Sequence, residues 1–220
     1  MIFGNQTVKI LRTHRMSLRP EATNIELRRR VHMKVVKFLL GSALGAILIL
    51  VAIGFFLPSH WRVERHVVIK ATPDRIYPYI ANLKNGWPQF SAIDQEERDM
   101  SYEYQGPEVG DGAIRILHSK SGGNRVQKIT KADPNNGIDY EISMQGGGFV
   151  MYGSINMRPD TDGTKVIWVN AGDMGANPMY KIMGYLMDSL MGKALQKSLD
   201  NLKEKVEGTS TKTNISSSAE

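Results

Sequence analysis

From Phe38 to Leu57 the chain reads FLLGSALGAILILVAIGFFL, twenty residues in which the hydroxyl of Ser42 is the one polar side-chain group. At about 1.5 Å of rise per residue such a helix is roughly 30 Å long, the thickness of a bilayer's hydrocarbon layer. The pattern therefore predicts one transmembrane helix over 38–57. A cleaved secretory signal is the competing reading. The length of the run and the bulky Phe55, Phe56 and Leu57 at its end, where a signal peptidase takes small side chains, favour an uncleaved anchor.

Beyond Leu57 the periodicity changes. Trp61 to Lys70 alternates Val63, Val67 and Ile69 with polar neighbours, which predicts a strand. Thr72, Pro73 and Asp74 then suit the start of a short helix whose apolar face is Ile76, Tyr77 and Ile80, ending near Asn82. The stretch NGWPQF, 85–90, joins a turn signal to Trp87 and Phe90, spaced for one face of a helical turn. Six alternating runs follow, at 96–105, 111–119, 124–132, 137–145, 148–158 and 164–172. They are separated by Gly106-Pro107, Gly122-Gly123, Asp133 to Gly137, Gly146 to Gly148 and Asp160 to Gly163, each with turn chemistry. This is the signature of an antiparallel meander.

Alternation places Ile114, Ile116 and His118 on one strand face, Ile138, Tyr140, Ile142 and Met144 on another, and Val166, Trp168 and Asn170 on a third. The cover for this sheet is a long final helix. Asn177 suits its N-cap and Pro178 its first position, and Met179, Met183, Met187 and Met191 recur every four residues. Ile182, Leu186, Leu190, Leu195, Leu199, Leu202 and Val206 extend its apolar side, and Gly208 is the expected stop. The Ser/Thr-rich remainder, 207–220, is expected to be disordered.

Charge sharpens this picture once it is divided along the chain. Residues 1–37 hold nine Lys/Arg against Glu21 and Glu26, whereas 61–206 hold eighteen basic and eighteen acidic residues. A neutral domain without a basic run interleaved with aromatics argues against nucleic-acid binding. The basic tail instead reads as a topology signal. Arg28, Arg29, Arg30, Lys34 and Lys37 immediately precede the apolar run, so the positive-inside rule puts the N-terminus in the cytoplasm and the domain on the periplasmic or extracytoplasmic side. Met33 opens a compact charged lead-in of its own, MKVVKFLLG, as a second candidate start. Cysteine is absent, and the five histidines never reach a His-x-His or His-x-x-x-His spacing, so neither metal nor other cofactor is expected.

The order of elements and several stretches resemble one family. They are the Leu57-Pro58 exit followed by VERHVVIKATPDRIYPYI, the Trp87-Pro88 corner, Tyr104 to Pro107 with Gly110 and Gly112, Trp168, and the run from Gly172 to Lys203. Over 57–206 the chain resembles the START-like, or SRPBCC, superfamily, and within it the bacterial polyketide cyclase/dehydrase and lipid transport proteins. The resemblance implies an α+β helix-grip fold, a curved antiparallel seven-stranded sheet wrapped on a long C-terminal helix and here preceded by one transmembrane helix. The domains would be 1–37 (basic tail), 38–57 (span), 58–206 (START-like domain) and 207–220 (tail).

The resemblance also implies a hollow between sheet and helix for an apolar or amphipathic ligand. The expected lining is Trp87, Phe90, Ile116, Tyr140, Ile142, Trp168, Met179, Met183, Met187 and Met191, the flexible methionines suiting varied shapes. Candidates for acid–base work are His118, Tyr140 and Asp173, none in a triad or carboxylate pair. Binding or carriage of a hydrophobic small molecule or lipid beside the bilayer is therefore the leading expectation, ahead of a cyclase- or dehydratase-type enzyme on an aromatic substrate and of a membrane-bound module for a protein partner.

Overall fold

The computed structural model describes residues 20–96, 100–119, 123–144 and 147–217, with side chains from 32 to 208. Two compact units are present, Met1–Leu50 and Val51–Glu220. The first is the body of helix α1 (Pro20–Phe56). All of the predicted span but Leu57 lies inside it, and His32–Phe56 is long and apolar enough to cross a membrane. The helix starts upstream of the apolar run because nothing between Glu21 and Lys37 breaks it: that stretch has neither Gly nor Pro, and Pro20 suits a first turn. The part of the tail before Pro20 lies outside the described residues.

In the second unit, Leu57, Pro58 and Ser59 lead into β1 (His60–Ile69), followed by α2 (Pro73–Ala81), α3 (Trp87–Phe90) and α4 (Ala92–Glu96). The meander is β2 (Met100–Gln105), β3 (Ile114–Ser119), β4 (Arg125–Asp133), β5 (Gly137–Met144), β6 (Val150–Asp160) and β7 (Gly163–Asp173), and α5 (Pro178–Ser217) closes the chain. The seven strands form one antiparallel sheet in the order β1-β7-β6-β5-β4-β3-β2, so the first strand pairs with the last. The helix-grip expectation is met. The β4–β5 and β6–β7 hairpins turn on the residues that predicted them; Gly163, for example, takes a φ of 138° that a side chain would resist. Gly122 and Gly146 lie outside the described residues, as do 97–99, where the first meander strand was expected to begin.

Strand pairing aligns residues on the helix-facing side in rows. Tyr104, Arg115, Gln127, Ile142, Met151, Gly172 and Trp61 form one row across all seven strands. The next holds Ile129, Tyr140, Gly153, Asn170 and Val63, and a third Ile138, Ile155, Trp168 and Arg65. Over these pack Ile76 and Ile80 of α2, Phe90 of α3, and Leu195, Leu199, Leu202 and Val206 of α5, all buried. The 4, 3, 4 spacing of that last set keeps it on one helix face.

Asn177 caps α5 as expected, its Oδ1 accepting from the Met179 N–H at 2.9 Å. The helix does not stop at Gly208 but continues to Ser217. A glycine ends a helix by taking a left-handed φ, and Gly208 has none, so it costs only helix propensity. Gly184 and Gly192, on the inner side of α5, are close approaches. A Cβ at Gly184 would lie 2.9 Å from Met174 Cγ, and one at Gly192 would overlap the Arg65 guanidinium.

Candidate functional site

The centre of the grip is aromatic. Asn82 Oδ1 accepts from the N–H groups of Lys84 (3.0 Å) and Asn85 (2.7 Å), turning the chain after α2. Trp87 then points inward, its indole N–H donating to Ile80 O at 2.6 Å. Its ring meets Tyr140 edge-on with centroids 5.4 Å apart and Trp168 edge-on at 5.5 Å, and Phe90 closes the set at 5.6 Å from Trp87 and 5.8 Å from Trp168. The edge-to-face contacts match the ring quadrupoles.

One polar chain runs through these rings. Trp168 Nε1 donates to Tyr140 Oη at 2.8 Å, and Tyr140 Oη donates to Asn170 Oδ1 at 2.6 Å. Burial pushes the Tyr140 hydroxyl well above the ordinary tyrosine range, so it stays protonated at any physiological pH. Its ring lies flat across β6 because the facing residue is Gly153, where a Cβ would overlap the ring. Glycine in a strand interior marks such an approach.

Beside the rings sits a buried cation. Arg115 is 2% exposed. Its guanidinium pairs with the Asp94 carboxylate from α4 and donates to Gln127 Oε1 from Nη2 (2.7 Å) and Nε (3.2 Å). It also lies 5.3 Å from the Trp87 ring centroid and 5.2 Å from that of Tyr102, within cation–π range. Gln127 is fully buried and its Nε2 has no partner, an arrangement that costs about 1–3 kcal/mol unless an acceptor arrives. Helix α5 fastens this corner: Asn201 Nδ2 donates to Phe90 O at 3.1 Å, Ser198 Oγ accepts from Ala92 N at 2.9 Å, and Lys197 pairs with Glu96 at 2.9 Å.

The structure brings together Trp87, Phe90, Tyr140 and Trp168 from the expected lining, with Ile142 half-buried beside them. Ile116 is not among them. Arg115 and Leu117 are the buried positions of β3, which turns Ile114, Ile116 and His118 to the outer face. The strand IRILHS carries apolar residues in both phases, and pairing of Arg115 with Gln127 fixes the phase opposite to the expected one. His118 therefore sits outside, its Nε2 3.3 Å from Glu103. Asp173 is exposed at the end of β7, where the Gly175 N–H, then Ser59 and His60, hold its carboxyl below the usual range. Of the acid–base candidates only Tyr140 lies in the cluster.

The methionine row also divides. Met187 and Met191 are half-buried against the core, but Met179 and Met183 are exposed. A step of four residues overshoots the helical turn by about 40°, so a row of four swings through roughly 120° and cannot hold one face. Asn170 was expected only as a neighbour of Trp168 on its strand face, and Arg115, Asp94, Gln127 and Gly153 were not expected at the site. Of these four only Gly153, a lone glycine in an apolar alternation, carried a readable signal.

The expected hollow is filled in its middle by the Trp87, Phe90 and Trp168 rings. Open cavities lie elsewhere, one of about 580 Å³ between the β1–α2 loop and the β6–β7 turn, lined by Lys70 to Pro73 and Asp162 to Thr164, and one of about 140 Å³ around Lys131, Asp133 and Asn156. Among the described residues, no three His, Asp or Glu side chains are grouped to hold a metal ion.

A family model described as polyketide cyclase / dehydrase and lipid transport matches residues 60–207, the whole sheet and most of α5. The chain belongs to this family. The fold recurs in solved structures of distant sequence. A protein of unknown function from Staphylococcus aureus, SA2116, is 14% identical with a TM-score of 0.52, covering 69% of this chain and 96% of its own. The di-domain ARO/CYC StfQ of the steffimycin biosynthetic pathway is 10% identical with a TM-score of 0.53, covering 69% of this chain and 52% of its own. At such identities the likeness is one of fold. Among curated proteins no sequence match is found.

Proposed function

We propose that this family member is a membrane-anchored binder or carrier of an amphipathic, lipid-like molecule, with α1 spanning the bilayer, the N-terminus cytoplasmic and the grip domain outside. The observation that carries the reading is the unpartnered Gln127 Nε2 donor, buried next to Arg115 and walled by aromatic rings. Such a place suits a guest with an apolar or aromatic body and one acceptor group. The body would take the position of the α3 rings as the α3–α4 corner moves outward, and the acceptor would meet Gln127 and Arg115. Leu57 to Ser59 span only about 10 Å even when extended, so a guest would pass from lipid to grip with little exposure to water. Each methylene kept from water is worth about 0.8 kcal/mol. The family's description as lipid transport is in keeping with this.

Two observations weigh against catalysis here. The Tyr140 proton is committed to Asn170, and His118 faces away from the rings. The test is titration of the full chain in polymer-bounded native membrane discs with an environment-sensitive apolar dye, followed by native mass spectrometry of the copurified molecules. The expected result is saturable quenching of tryptophan emission, lost in Gln127→Leu, together with one bound amphiphile. Linear, non-saturating dye uptake identical in both proteins would overturn the reading.

A further inference from the structure

The grip accounts for the inner side of α5 but not for a second apolar stripe on its first four turns. Met179, Met183, Leu186 and Leu190 are 55, 49, 44 and 60% exposed. Their 4, 3, 4 spacing makes them one continuous ridge. It points away from the sheet-facing side, which is set by Gly184 against Trp61 and Met174 and by Leu195 in the core. The neighbouring flank is polar, with Ser189 and Lys193 exposed. Tyr180, one turn before Met183, borders the ridge and is exposed as well.

Within the compact unit that begins at Val51, the start of this ridge is fastened to the last turn of the apolar helix. Met174 N donates to Ser59 O at 2.9 Å, and His60 pairs with Asp173 in the sheet. Pro178 lies against Gly54, and Lys181 Nζ donates to Phe55 O at 3.4 Å. The ridge thus begins where the anchor ends.

Resting on the reading of α1 as an anchor, we propose that this half of α5 lies along the membrane, with Met179, Met183, Leu186 and Leu190 seated in the interfacial layer of the phospholipid. A tyrosine at the edge and a lysine on the flank are side chains that such a layer accommodates. A second copy of the chain is the weaker occupant, because four side chains in one stripe fall short of the roughly 20–30 residues a side that a stable dimer uses.

The chain has no cysteine, so single labels are unambiguous. Full-length Met183→Cys and Ser189→Cys, each carrying an environment-sensitive fluorophore, are reconstituted into phosphatidylethanolamine–phosphatidylglycerol vesicles containing a lipid with a nitroxide near its headgroup. The expected result is lipid quenching about threefold stronger at position 183 than at 189, with aqueous iodide showing the reverse order. Equal quenching at both positions in a chain that resists alkaline extraction overturns the proposal and leaves the anchor standing. Protection of position 183 from both quenchers, relieved on dilution into excess lipid, assigns the ridge to a second copy and overturns it too. A chain that washes off the vesicles sinks the anchor reading and this one together.

Discussion

Two arginines on the helix-facing side of the sheet each reach an aspartate on a helix, and they do different work. Arg115 and Asp94 are 3% and 5% exposed at their side chains, whereas Arg65 and Asp188 are 29% and 60% exposed. Both are two-pronged, and Arg65 meets Asp188 at 2.8 and 3.1 Å. Solvent separates them. The outer pair is a latch between β1 and α5 whose attraction is screened, while the inner pair is committed to the corner that walls the aromatic cluster. Geometry alone does not rank an ion pair; the water it has lost does.

The sharpest way to break the contrast is Arg115→Ala, which leaves Asp94 buried and uncompensated and is expected to cost about 3–5 kcal/mol in denaturant unfolding of the full chain in micelles. Replacing both partners, Arg115→Met with Asp94→Leu, should recover most of that loss while abolishing dye saturation. A double variant as unstable as the single one would show that the pair itself, not the stranded charge, holds the corner. Gly153→Ala comes next. Its methyl displaces the Tyr140 ring and should cost about 1–3 kcal/mol by the same measurement, with a change in tryptophan emission.

The smallest effect belongs to the outer pair. The Arg65 hydrogen bond holds the Asp188 carboxyl below the ordinary aspartate range. A depressed carboxyl contributes stability above its unfolded value, about pH 4, and loses it as pH falls through the folded one. Asp188→Asn should therefore lower Tm slightly at pH 7 and flatten its fall below pH 4, the two curves converging in acid. An unaltered acid slope would mean that the latch is not formed in solution.

The fold was more legible in the sequence than the site. Strand β5 shows one apolar phase, and Tyr140 falls on the inner side as its alternation requires; in β7 both phases are apolar, with Ile167 and Val169 opposite Val166 and Trp168, and Trp168 and Asn170 prove to be the inner pair. Trp87 and Phe90 were legible because a Pro-containing turn fixes how they face. The site's polar half was not. In β3 both phases are apolar enough, and choosing between them needs the register with β4, a long-range fact. Arg115 was invisible for the same reason, since a buried arginine is announced only by Asp94 and Gln127, distant in sequence and adjacent in space. The methionine row misled because regular spacing is not helical spacing.

The pairing of β1 with β7 also bears on how the domain is made. His60 leaves the ribosome more than a hundred residues before Asp173, its ladder neighbour. The edge carrying Trp61 and Val63 must wait unpaired through nearly the entire synthesis of the domain, because among the described residues no other strand pairs with it. Closing so long a loop is entropically slow, and the chain can complete it only as its last strand emerges. Newly made molecules therefore pass through a stage with a bare, greasy strand next to the apolar helix, when a chaperone or the lipid surface itself would have to shelter them.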